Sequence, residues 1–329
     1  IDRTALDTIH ALSEEETVPV EEARFIQPFS SSTLEVFKQL ASFPKVGTAL
    51  VDERGESTWQ MSNHWHETNA QTEGTIRRET AFRSAVDMVI QGPLFHIANP
   101  LYKTPRRLSK NNSDYDVINL GNVPEDYLPR TNYGPAVSVD EYRRRMTKCR
   151  WDSKKSHGDF YRFAVRSMIA LNGERSLIGA IIPPKILHIN KVESIAFQAN
   201  SDLLDVSCLM SSLVQDFYLK ASGTSDLYTS DFARLSFVKL DERAWYRILK
   251  LNCLNKDYAE IWSEFVLDPQ KLSWSNGHPS LFIDSNDELL PGWSFSSAFR
   301  NNYPRYLALV EIDVLVAQAF ALTLDELLE

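Results

Sequence analysis

From Asn99 to Tyr133 the chain reads NPLYKTPRRLSKNNSDYDVINLGNVPEDYLPRTNY. Cations, amides and phenol rings are interleaved, and Pro100, Pro105, Pro124 and Pro129 rule out one continuous helix. The expected form is an ordered loop system. These residue types suit nucleic acid: ammonium and guanidinium groups meet phosphates, Arg and Asn meet base edges, and rings stack on bases. Arg106, Arg107, Asn111, Asn112, Arg130 and Asn132 are the candidate base readers. Arg77, Arg78, Lys103, Lys110, Arg143, Arg144, Arg145, Lys154 and Lys155 are the candidate backbone contacts. Tyr102, Tyr133 and Trp151 are candidates to wedge or stack where a duplex opens to flip a base.

Net charge, −9 over 329 residues, argues against simple polyanion binding, but the charge is segregated. Lys103–Lys110 holds four cations and no acid, and Glu141–Arg166 holds nine cations against Glu141, Asp152 and Asp159. The other 22 cations face 41 of the 44 acids, so one face can be basic while the rest keeps the protein soluble.

Other constellations are weaker. Asn99-Pro100-Leu101-Tyr102 differs by one proline from the Asp/Asn-Pro-Pro-Tyr/Phe loop with which amino-methyltransferases hold a flipped adenine. Yet the chain has only 12 glycines and no glycine-rich strand-to-helix turn to cradle a cofactor, so no catalytic residue is assigned. His64 and His66 would share one face of a strand, but zinc needs three or four ligands and no cysteine pair is near, so no metal site is expected. His188 reads as a core or capping histidine. Asp114-Tyr115-Asp116 lacks the Glu-x-Lys of restriction nucleases, and there is no G-x-S-x-G elbow.

Asn99–Arg106, Asp114–Leu120, Val123–Tyr133, Glu141–Arg145 (EYRRR), Ala180–Pro184 (AIIPP) and Leu307–Leu328 carry a family resemblance. Together they resemble the C-terminal, target-recognition part of large adenine-specific DNA methyltransferases. These are the type IIG restriction-modification enzymes and the similar methylase of the DISARM phage-defence system. The resemblance spans roughly Trp59 to the end. It implies sequence-specific recognition of double-stranded DNA, beside a methyltransferase catalytic domain in the same or a companion chain. S-adenosylmethionine would then be bound by that catalytic part and not by this chain. Two alternatives stand beside it: a methyltransferase with a degenerate NPLY loop, and a non-catalytic docking subunit of a defence complex.

The elements that must position these residues follow from pattern. Hydrophobic content of 43% with 11% aromatics indicates a folded protein, and no apolar run is long enough to span a bilayer. Cys149, Cys208 and Cys253 are odd in number and widely spaced, which suggests a reducing cytoplasm. Ile1 and the helix-opening box at Thr323–Glu326 raise the expectation of a fragment. The expected fold is α+β: a mixed β-sheet recognition domain flanked by N- and C-terminal helical segments. The segments are 1–60 (helical, with a hairpin), 61–240 (α+β, DNA-recognising) and 241–329 (helical).

Expected helices are a run opened by Ser32–Glu35, then Asp140–Lys148, Phe160–Leu171, Asp202–Leu213, Asp241–Leu254, Tyr258–Val266 and Tyr303–Leu322. Expected strands are Thr48–Val51 and Thr58–Met61 around Glu53-Arg54-Gly55, then Val86–Ile90, Leu94–Ala98, Ser176–Ile182, Leu187–Ile189 and Val192–Phe197. Residues 267–302 read as a long loop.

Overall fold

The computed structural model describes residues 3–14, 18–23, 26, 30–62, 64–78, 88–107, 109, 111–170, 172–266 and 292–328. Within them the fold is α+β. The larger sheet is antiparallel, with strand order β1 (Trp59–Ser62), β10 (Val192–Phe197), β7 (Arg162–Arg166), β8 (Gly179–Ile182). Its register pairs Met61 with Ile195, Ile195 with Phe163, and Phe163 with Ile181. A smaller sheet runs β2 (Ile76–Arg78), β6 (Tyr133–Pro135), β3 (Val89–Ile90), β9 (Leu187–His188), its last pair parallel. A separate ribbon joins β4 (Lys103–Pro105) to β5 (Tyr115–Val117).

Helices cover one face of the larger sheet. α6 (Asn200–Ser211) packs on β7, β8 and β10, and is in turn covered by α7 (Leu213–Ala221), α9 (Glu242–Asn252) and α11 (Asn302–Ala319). A helix buried on nearly every side needs apolar or small residues all round, and Leu203 through Ser211 are all buried. α1 (Arg3–Ser13) and α2 (Ser31–Ala41) pack on each other, and α3 (Val46–Ala49) packs on α8 (Thr229–Arg234). α10 (Ala259–Phe265) lies on α9, α12 (Leu324–Leu328) on α2, and α4 (Glu67–Thr72) beside β2. α5 (Val139–Arg145) follows β6. One buried cluster takes in Phe37, Phe163 and Trp262, so the main core runs through all three segments expected from sequence.

Local chemistry explains several boundaries. Asp241 caps α9 by accepting from the Arg243 and Ala244 amides, and Ser30 caps α2 through the Thr33 amide, two residues before the box expected there. At Glu53–Gly55 a tight turn does form: Asp52 accepts from the Arg54 and Glu56 amides, and Gly55 supplies φ +80°. Its first arm is helix α3, with only a Val51–Ser57 bridge, where a strand over Thr48–Val51 was expected.

Phe160–Leu171, expected as a helix, contains the central strand β7. Both its faces are buried, Phe163 and Val165 in the main core and Ala164 in a second cluster with Ala180, Ile182 and Val192. A strand buried on both faces loses its alternation of polar and apolar residues, leaving a continuous apolar run that mimics a buried helix. Leu94–Ala98, expected as a strand, is instead a tight 3-10 turn over Gly92–Leu94 followed by a turn closed between His96 and Asn99. Gly179 lets β8 approach β7, since a Cβ there would sit 2.4 Å from the Phe163 ring. Residues 86 and 87 of the expected Val86–Ile90 strand, and 267–291 of the expected long loop, lie outside the described residues.

Candidate nucleic-acid interface

The edge strand β2 is where the cation-bearing segments meet. Arg78 Nη2 donates to the Ser109 carbonyl at 3.0 Å, and its guanidinium lies 5.7 Å from the Tyr133 ring centroid. Ser109 in turn donates to the carbonyls of Arg106 and Asp114, so this contact fixes the connection between β4 and β5. Three residues earlier, Thr75 Oγ1 accepts from Arg145 Nη1 at 2.7 Å, and the same nitrogen reaches the Glu73 carbonyl at 3.3 Å. That contact fixes α5. The anchors of the two basic segments are therefore about 10 Å apart along one extended chain.

On the ribbon, Arg106 is exposed and gives both Nε and Nη2 to Asp116 Oδ1, at 3.0 and 2.9 Å. Arg107 and Arg130 are also exposed, and the Arg130 amide donates to Thr104 Oγ1. Lys103 is half-buried with its Nζ 5.1 Å from the Tyr102 ring. Exposed Asn111 accepts from the Asp114 amide and caps a short 3-10 turn that continues through Asn112. Lys110 and the Asn112 side chain lie outside the described residues.

On α5, Arg144 and Arg145 both pair with Glu141, each at 2.7 Å, while Arg143 is exposed on the same turn. Glu141 is accordingly held below the usual carboxylate range, chiefly by its bond to Arg145. Beyond α5, Trp151 packs edge-on against Phe160 at 5.6 Å, and Lys155 Nζ sits 5.3 Å from that ring. Lys154 is exposed in the turn closed by Asp152, and Arg77 is exposed on β2.

Two sequence candidates are placed inward. Asn132 is buried, and its two amide hydrogens go to Gln91 at 2.7 Å and to the Tyr115 hydroxyl at 2.8 Å. Tyr133 is buried too, and its hydroxyl donates to Glu67. As placed, both residues brace the sheet under the cations. Tyr102 is half-buried against His96 at 4.8 Å. His96 is pushed down to about 4, first by burial and then by Arg166 and Lys103.

The NPLY segment forms a pinned turn. Asn99 Oδ1 accepts the Leu101 amide at 3.1 Å, Ala98 takes φ +48°, and its carbonyl accepts from Arg305 at 2.8 Å. Arg166 holds the preceding Gly92 and Phe95 carbonyls at 2.8 and 2.7 Å.

Sequence reasoning did not foresee the company of His64. His157 Nδ1 lies 3.2 Å from His64 Nε2, and the rings of His64 and His188 are 4.7 Å apart. Arg162, fully buried, donates Nη1 to His64 Nε2 at 3.1 Å and Nη2 to the Ile186 carbonyl. Guanidinium nitrogens only donate, so His64 presents a lone pair there. The Gln60 carbonyl, 2.9 Å from His157 Nε2, fixes that ring's proton on Nε2 and leaves a second lone pair on Nδ1. The two lone pairs face each other, and the solvent-shielded Nδ1 of His64 has no hydrogen-bond partner among the described residues. His66, the other half of the sequence pair, lies outside this group as the cap of α4. Among the described residues no set of three or more His, Cys, Asp or Glu side chains is arranged to hold a metal ion.

No protein-family model matches the chain, and no curated protein matches it in sequence. Among the described residues no helix is long and apolar enough to cross a membrane.

Proposed function

We propose that this chain recognises double-stranded DNA, as the target-recognition part of an adenine-specific methyltransferase in a restriction-modification or phage-defence system. In this reading the chain binds and positions. A methyltransferase catalytic domain, in the same or a companion chain, binds S-adenosylmethionine and performs the transfer. The observation that carries the reading is the convergence of two basic segments on β2 and the residue before it, through Arg78–Ser109 and Arg145–Thr75. The family resemblance of Asn99–Tyr133 and Glu141–Arg145 supports it further. Arg77, Arg107, Arg130, Arg143 and Lys154 are exposed, as phosphate neutralisation requires.

Charge reversal tests the proposal. The double variant Lys154→Glu, Lys155→Glu should weaken binding to every duplex about equally and reduce the salt slope, because phosphate contacts carry no sequence information. Unchanged affinity and slope in that variant would remove the Lys154–Lys155 turn from the interface. No binding of the unaltered, folded chain to any duplex at low salt would leave the docking-subunit alternative in its place.

A further inference from the structure

The β4–β5 ribbon carries a feature that basic charge alone does not account for: an acid held against one of its arginines. Thr104 and Asp116 are cross-strand partners, and Arg106, two residues beyond Thr104, extends the same face. Asp116 Oδ1 accepts from Nε and Nη2 of Arg106, so it holds one side of the guanidinium fork. The end of the fork, with one hydrogen on Nη1 and one on Nη2, points away from the carboxylate. That end matches the two acceptors, O6 and N7, of guanine in the major groove. A major groove admits a two-stranded ribbon; in this one the Arg106–Asp114 and Tyr102–Ile118 backbone bonds extend the ladder between its two strands, and the Arg78–Ser109 bond fastens it to the smaller sheet.

Building on the DNA-recognition reading, we infer that the β4–β5 ribbon enters the major groove, that Arg106 reads guanine, and that Asp116 is the positioning residue that aims it. An acid on a DNA-facing element repels phosphate, so its presence there is explained by what it orients. The two contributions of Asp116 have opposite signs. Its removal takes away a repulsive charge, which raises affinity for any duplex, and frees the Arg106 side chain, which lowers discrimination.

Selection from a pool of random-sequence duplexes at low salt, followed by sequencing, tests this with the unaltered chain, Asp116→Asn and Arg106→Ala. The unaltered chain should enrich a site with a guanine preferred about 5- to 150-fold at one position, the range of one bidentate contact. Arg106→Ala should abolish that preference, and Asp116→Asn should cut it several-fold while binding the unselected pool as well as or better than before. Replacing the selected guanine with 7-deazaguanine should weaken the unaltered chain and leave Arg106→Ala unaffected. Asp116→Asn that binds all sequences more tightly with its preference intact would overturn the positioning role. So would a guanine preference that survives Arg106→Ala, or duplex binding without base preference. Absence of any duplex binding by the unaltered chain would overturn DNA recognition itself, a separate outcome.

Discussion

Arg78 and Ser109, on different elements and 31 residues apart, are joined by a 3.0 Å hydrogen bond from guanidinium to carbonyl. That bond fastens the β4–β5 ribbon to the edge of the smaller sheet. Arg78 thus has a structural role as well as a charge.

Arg78→Ala should loosen the ribbon at a cost of about 1–3 kcal/mol, the range for a hydrogen bond to a charged group plus a face-on ring contact. Hydrogen exchange should quicken at the ribbon amides of Ile118 and Arg106, which are bonded to Tyr102 and Asp114. Arg78→Lys keeps the charge but not the planar fork, so it should restore phosphate attraction more than ribbon protection. Unchanged exchange in Arg78→Ala would mean the ribbon is held by its own ladder alone.

The histidine group sets an acid limit. Burial is the largest cause in each case: His157 is pushed down to about 3, and His64 and His188 fall well below the usual imidazole range. A base whose folded pKa is depressed takes up protons on unfolding. Stability is then complete above the unfolded value near 6.5 and is lost as pH falls below it. Each histidine contributes up to about 1.4 kcal/mol per pH unit in that window. Glu193, raised to about 7 by burial, and Asp205, raised to about 6, act with the opposite sign, since their protonated forms favour the fold as pH falls. His157→Gln separates these contributions. Denaturant midpoints between pH 7 and 5 should depend less steeply on pH in this variant by about one histidine's share, roughly 1 kcal/mol per unit. An identical pH slope in the variant would show that His157 is protonated in the folded chain.

Arg175 and Asp313 form a two-bond ion pair at 2.6 and 3.0 Å, 8% and 6% exposed, which ties α11 to the approach to β8. Asp313 also accepts the Leu213 amide at the start of α7, so three segments share one carboxylate. Asp313→Ala should cost about 3–5 kcal/mol because it strands a buried cation. Arg175→Met with Asp313→Leu should cost much less, since both charges leave together. Urea unfolding of the single and double variants measures the difference, and equal losses would count against the desolvation argument.

Legibility of the fold followed the reach of local chemistry. Helix α9 could be read from Asp241 and the apolar positions after it, and the turn at Gly55 from its glycine, because caps and turns are local. β7 was misread because its neighbours β10 and β8, which bury both its faces, lie outside any short window. At the candidate site, the clustering of cations in two segments was legible in the sequence. The inward placement of Asn132 and the Arg106–Asp116 pair were not, since they depend on which residues the fold sets opposite one another. His64 shows the same limit, because its partners His157 and Arg162 are 93 and 98 residues away.

The central claim is that β2 gathers a phosphate-binding surface, and salt dependence of duplex binding tests it most directly. Each phosphate neutralised contributes about −0.9 to the slope of log K against log salt, so five engaged cations give a loss of ~500-fold between 50 and 200 mM salt. Titration of a random-sequence duplex with the folded, monodisperse chain at 50 mM salt, repeated at 200 mM, should show that loss. The low-salt arm is the fair starting point because the net charge of −9 repels DNA at long range. No detectable binding at 50 mM, or an affinity that does not change with salt, would contradict the account.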